Sequence, residues 1–283
     1  MVMRREISMN PNNEAGRKNE AVDDGGKGRV RLGLEIYSLR EAFSENPDDT
    51  IRKVAEMGYE SIEFAGLMKE SAEYYRERIT EAGLDCSGWI VSWNELQGDE
   101  LAKTIDYNRR LGSPVIIIGS VPVALVKTES EISGVIGRML DIKKAVESAG
   151  FKTGYHNHDS DFFHVVAGKP LFEHFFDNTP EDFLMILDTG NAMAGGYDPV
   201  RALKRYPGRS TYVHIKGYSK EKGYLAYIGE DDINWEKLIR IAINVGGASS
   251  FSVEFGKRGD YDPFERAAVS YDRIRNLLVS KTG

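Results

Sequence analysis

Two histidines separated by one residue, His156 and His158, sit in the stretch Gly154-Tyr155-His156-Asn157-His158-Asp159 of a chain that holds only five histidines. A strand puts residues i and i+2 on one face. Side by side, the two imidazoles can bind a metal ion, act as an acid/base pair, or simply end a strand. Further ionisable groups close other apolar, β-branched runs: Glu63, Asp188, His214 with Lys216, and Glu254. An Asp, a His and a Glu beside another His form a mixed nitrogen and oxygen donor set. That set suits Mn²⁺, Co²⁺, Zn²⁺, Fe²⁺ or Ni²⁺ better than Ca²⁺, which takes oxygen alone. Four protein ligands on an octahedral ion leave two positions for the oxygens of a diol or hydroxyketone. Chelation of that kind polarises a carbonyl and acidifies the neighbouring C–H, as enolisation requires.

For these residues to meet, the elements must bring distant parts of the chain together. Strand patterns cover 31–38, 61–64, 86–93, 114–120, 152–157, 183–189, 211–217 and 250–256. Amphipathic helical patterns lie between them, among them DTIRKVAEMG, ESAEYYRERITEAG and EISGVIGRMLDIKKAVESAG, each ending on the glycine expected just past a helix. Eight strand–helix units predict a single α/β domain, a (β/α)8 TIM barrel, with parallel strands and right-handed crossovers. In such a barrel the strand C-termini share one mouth. No Gly-rich dinucleotide fingerprint follows the first strand and no P-loop occurs, which weighs against an open nucleotide-binding sheet.

Residues 1–28 are polar and aperiodic and are expected to be a flexible N-terminal leader, with the barrel occupying 29–283. At 283 residues and 41% hydrophobic, the chain can bury a large core. Its formal charge of −7 offers no general attraction for phosphate backbones, so no nucleic-acid partner is expected. The single cysteine, Cys86, excludes an internal disulfide framework and suits a cytoplasmic location. No apolar run reaches the roughly 18–20 residues of a membrane span. Homo-oligomerisation is left open.

Each candidate also has a plainer reading. Asp188 before Thr-Gly-Asn can be a helix N-cap, Glu63 a satisfied polar residue below the mouth, and Lys216 a solvated strand end. His164 and His174, in FFHVV and LFEHFF, read as core or hairpin residues and stay outside the site. Four accidents on four consecutive strands are harder to accept than any one of them.

Taken in order, AEMGYESIEFAG, GYHNHDSDF, LDTGNAMAGGYDP, VHIKG, YIGEDDINW and SVEFGKRGDYDPFERAAVSYDRIRNL give the chain after residue 30 a resemblance to the xylose-isomerase-like sugar phosphate isomerase/epimerase superfamily. The resemblance implies one divalent metal on His156, Asp188, His214 and Glu254. It implies catalytic roles for Glu254, His158 and Lys216, and substrate contacts at Glu63, Asn191 and Glu230. His156 stands where the family's epimerases carry a glutamate, and Asn191 where many members carry histidine. A metal-bound imidazole is a poor base, which weighs against proton exchange between two glutamates. The His-x-His phrase also resembles the keto-inositol dehydratases of the superfamily.

The expectation is therefore a metal-dependent isomerase or epimerase of a keto- or hydroxy-sugar, working through an enediolate, with Mg²⁺ a poorer fit than the transition ions. The alternatives are a dehydratase of a keto-inositol or 3-keto-glycoside, and a non-catalytic sugar-binding barrel. A three-metal endonuclease would need more ligands and a basic rim. An unphosphorylated sugar is preferred, since Lys216 and the 257–259 loop are the only obvious cationic clamp. Glu35, Tyr37, Arg40 and Trp93 are unranked candidates for lining the pocket.

Overall fold

The structure is a computed structural model that describes residues 29–66, 69–256 and 261–279. The expected leader (1–28) and the 257–259 loop lie outside the described residues. Eight strands form the barrel: β1 (Arg31–Glu35), β2 (Ser61–Ala65), β3 (Asp85–Val91), β4 (Val115–Ile118), β5 (Lys152–His156), β6 (Leu184–Asp188), β7 (Tyr212–Ile215) and β8 (Ser250–Val253). Every neighbouring pair is parallel, and the sheet closes in the order β1-β8-β7-β6-β5-β4-β3-β2. The crossover helices are α1 (Pro47–Glu56), α2 (Ala72–Glu81), α3 (Gly98–Leu111), α4 (Glu129–Ser148), α5 (Leu171–Asp177), α6 (Pro199–Arg205), α7 (Trp235–Ile241) and α8 (Pro263–Val279).

Local chemistry sets the helix ends. Pro47 opens α1 behind the Asn46 cap, and Thr128 with Glu131 forms a reciprocal capping box at α4. The glycines beyond α1, α2 and α4, Gly58, Gly83 and Gly150, take φ values of 97°, 73° and 91°. All eight expected strands are present, but most are shorter at the mouth end than their apolar patterns suggest. Ile36–Leu39, for example, turns into a 3₁₀ helix capped by Glu35. Hydrophobicity continues there because the turn is buried, not because the strand goes on.

The strand alternation builds two cores. Outward residues such as Phe64, Tyr155, Met185, Leu187, Val213 and Phe251 pack under the helices. Inward residues Val115, Ile117, Leu184 and Ile186 fill the barrel. Gly154 lets β5 and β6 close up: a Cβ there would lie 2.2 Å from the Leu184 carbonyl oxygen. Among the described residues no helix is long and apolar enough to cross a membrane.

Candidate active site

The same alternation that sends Met185 and Leu187 outward sends Leu184, Ile186 and Asp188 inward. On β7, Val213 and Ile215 face the helices, so His214 faces in. On β8, Phe251 and Val253 do so, and Glu254 follows the inward phase. On β5, Tyr155 packs edge-on against Phe175, 5.1 Å between centroids, leaving His156 inside. Register then aligns the strand ends, with Asp188 opposite His214. Four distant side chains thus meet because each closes a strand on its inner face.

His156, Asp188, His214 and Glu254 each offer one donor atom, and these atoms lie within 4.8 Å of one another. His156 Nε2 is 3.6 Å from both Asp188 Oδ2 and Glu254 Oε2. All four residues are buried. Both ring nitrogens of His156, and Asp188 Oδ2, make no hydrogen bond. A buried polar atom left so costs about 1–3 kcal/mol. Two of these atoms, His156 Nε2 and Asp188 Oδ2, lie 3.6 Å apart within a donor set of two imidazoles and two carboxylates, which fits a single divalent transition ion.

Asp188 serves two purposes. Its Oδ1 accepts the Asn191 N–H at 2.7 Å, capping the helix Thr189–Ala194, while Oδ2 is left for the cluster. The N-cap and ligand readings are both met by one residue. Asn157 braces it, donating Nδ2 to the Asp188 carbonyl at 3.2 Å and accepting the Asp188 N–H at 2.9 Å.

His214 lies between two carboxylates, Nδ1 2.7 Å from Glu254 Oε2 and Nε2 in ion-pair contact with Glu63 Oε1 at 2.5 Å. Burial would push the imidazole down, but the Glu63 and Glu254 carboxylates hold it well above its usual range. A carboxylate behind a ligating histidine fixes its tautomer and raises its basicity. Lys216 Nζ donates to Glu254 Oε1 at 2.6 Å and Asn191 Oδ1 at 3.1 Å, and lies 3.3 Å from Asp188 Oδ2. Burial alone would raise the Glu254 carboxyl; Lys216, His156 and His214 outweigh it and keep it well below the ordinary value. His158 is pushed down to about 3 by burial and the neighbouring His156, and therefore stays neutral. Tyr224 stands over Lys216, 5.0 Å from Nζ to the ring centre, and donates to Asn191 Oδ1 at 3.0 Å.

A cavity of about 770 Å³ opens at this end of the barrel and reaches His156, His158, Lys216 and Glu254. Its wall also includes Glu35, Tyr37 and Arg40, three of the unranked candidates, but not Trp93. The three expected substrate contacts are not brought to it. Glu63 is fully buried below the mouth against His214, because β2 runs two residues further and it is Ala65 that reaches the cavity wall. Asn191 is committed to Asn157, Lys216 and Tyr224. Glu230 turns outward to Arg273 of α8, at 2.7 Å, drawn by the guanidinium. His164 and His174 tie a hairpin, binding the Val126 and Val166 carbonyl oxygens at 2.8 and 2.9 Å.

Sequence reasoning missed Asn157 and Tyr224. Asn157 lay in plain view between the two histidines. Tyr224 carries no signal, since it comes from an irregular loop whose path only the fold determines.

With this geometry in hand, comparison with known proteins is direct. A family model described as xylose isomerase-like TIM barrel matches residues 51–277, and the chain belongs to that family. An inosose dehydratase of Bacillus cereus (strain AH820) is 27% identical over 298 aligned positions, covering 90% of this chain and 98% of that protein. An inosose dehydratase of Geobacillus kaustophilus (strain HTA426) is 25% identical over 205; the match covers 64% of this chain and 65% of that protein's length. Among solved structures, a sugar phosphate isomerase/epimerase from Parabacteroides distasonis ATCC 8503 superposes with a TM-score of 0.75 at 22% identity. It covers 89% of this chain and 95% of that one, a likeness of fold.

Proposed function

We propose that this barrel is a divalent-metal-dependent isomerase or epimerase of a keto- or hydroxy-sugar. The observation that carries the reading is the convergence of His156, Asp188, His214 and Glu254 within 4.8 Å, beside a cavity of sugar-accommodating size. These four residues would hold the ion. Bound there, it would polarise the substrate carbonyl and acidify the adjacent C–H.

The chain's own groups divide the rest of the work. Glu254 takes the α-proton: the C–H bond breaks, its electron pair forms the C=C of an enediolate, and the proton passes to a carboxylate oxygen. Lys216, fixed by Glu254 and Asn191, presents an ammonium to the oxygen where negative charge develops, and its prior positioning avoids reorganisation during the step. His158, kept neutral, holds the reacting oxygens by hydrogen bonds while the proton moves between them. Return of the proton from Glu254 to the neighbouring carbon gives isomerisation; epimerisation requires a second acid to protonate the same carbon from the opposite face. Tyr224 and Asn191 keep Lys216 aimed at the cavity.

A second reading, dehydration of a keto-inositol or 3-keto-glycoside, is favoured by His156. An imidazole there supplies no second carboxylate for two-base epimerisation, and both dehydratase relatives described above support this branch. It shares the first step. The enediolate then re-forms its carbonyl as the C–O bond at the β-carbon breaks and a C=C forms, and the hydroxyl leaves as water with the proton Glu254 had taken. Proton NMR in D₂O, over a panel of keto-sugars, inososes and keto-glycosides with Mn²⁺, Co²⁺ or Zn²⁺, separates the two. Deuterium entering an intact sugar skeleton supports isomerase or epimerase action, and an unsaturated product supports dehydration. Absence of both across the panel would leave a sugar-binding barrel without catalysis.

A further inference from the structure

Glu35 ends β1 in register with Glu63 of β2, and none of the roles above employs it. Its side chain is only 2% exposed. One oxygen is accounted for: Oε1 accepts the Tyr37 N–H at 3.2 Å, capping the turn Ile36–Leu39 and fixing how the carboxyl points. The other is not. Oε2 is buried and has no hydrogen-bond partner, yet the residue forms part of the cavity wall together with His158, Lys216 and Glu254.

A cap needs one acceptor oxygen, so capping does not explain the second. A carboxyl oxygen held without a partner is a standing cost, and a cavity wall is where a ligand can remove it. Hydroxyl groups are suited to this, since each can donate to a carboxylate and accept from a carboxylic acid. A hydroxyl-bearing ligand therefore satisfies Oε2 whichever protonation state Glu35 adopts.

We infer that Glu35 is a specificity-determining residue whose free Oε2 hydrogen-bonds one particular hydroxyl of the sugar. The inference rests on the sugar-enzyme reading above and adds to it the group that reads the substrate on the β1 side of the mouth. A site built to bond a hydroxyl strongly rejects the analogue that lacks it, because its own buried group is then left unpaired.

The test is equilibrium binding to Mn²⁺-loaded protein by calorimetry, with D-fructose, 2-keto-myo-inositol and the set of analogues in which each hydroxyl is replaced in turn by hydrogen. Wild type should bind one deoxy analogue of its preferred sugar about 10–100-fold more weakly than the parent. In Glu35→Ala that penalty should vanish at that hydroxyl alone and persist at the others. Glu35→Gln keeps an oxygen for Tyr37 and so guards against loss of the turn. It should reduce the same penalty at least several-fold with the melting temperature unchanged. A purely structural Glu35 would alter the melting temperature and leave the discrimination pattern intact, which overturns the inference. If wild type binds none of the sugars, both the inference and the functional reading fall; if it binds but the variants discriminate as wild type does, only the inference falls.

Discussion

Glu63 touches His214 while Lys216 touches Asp188 and Glu254, so the two act on the candidate ligands differently. Glu63, in contact with His214 Nε2, can influence a bound ion only through that imidazole. Glu63→Ala should therefore weaken metal binding about 10–100-fold with all four ligands still present, read by competition with a chelating dye. Unchanged affinity would remove Glu63 from the site. Lys216 faces the cavity, so Lys216→Met should lower turnover of a keto-sugar by about 10²–10³ at unchanged metal content, read by steady-state kinetics alongside metal analysis. At this scale the convergence of His156, Asp188, His214 and Glu254 was legible because ionisable residues closing apolar strands are rare and cannot be explained one by one. Which of the other candidates line the cavity was not. The sequence spaces Glu63, Asn191 and Glu230 much as it spaces His158 and Lys216, and only side-chain pairing distinguishes them. His214 captures Glu63, Lys216 and Tyr224 capture Asn191, and Arg273 captures Glu230.

Among the elements, β5 decides whether His156 reaches the others. It lies against β6 with Gly154 opposite Leu184, and a methyl group at 154 would overlap the Leu184 carbonyl oxygen and Cβ. Gly154→Ala should destabilise the fold by about 1–3 kcal/mol, visible as a lower melting temperature, and weaken metal binding by displacing the strand that carries His156. Retention of both stability and affinity would mean that β5 has slack the packing does not suggest. The strands themselves were readable from short β-branched runs, and three helices from their terminal glycines. Strand ends were misjudged where the chain turns while still buried, as at Ile36–Leu39. Periodicity reports burial, and a buried turn looks like a longer strand.

The closed barrel explains why one face gathers chemistry while the interior beneath it stays packed. Cys86 lies half-buried on β3, packed against the core, and desolvation there pushes its thiol up to about 12. Labelling with a disulfide reagent at pH 7.5 should be more than about 10³-fold slower in the native protein than in denaturant, since only the thiolate reacts. Fast native labelling would indicate a looser β3. Membership of the xylose isomerase-like TIM barrel family accords with the eight-unit rhythm of the sequence. What the molecule adds is a single centre built from four strands. Metal analysis of protein purified without chelators, compared between wild type and Asp188→Ala at equal Mn²⁺ or Co²⁺, addresses that centre directly. The expected result is about one tightly held ion per wild-type chain and its loss in a variant that remains folded by circular dichroism. Equal metal content in the two folded proteins would contradict the site.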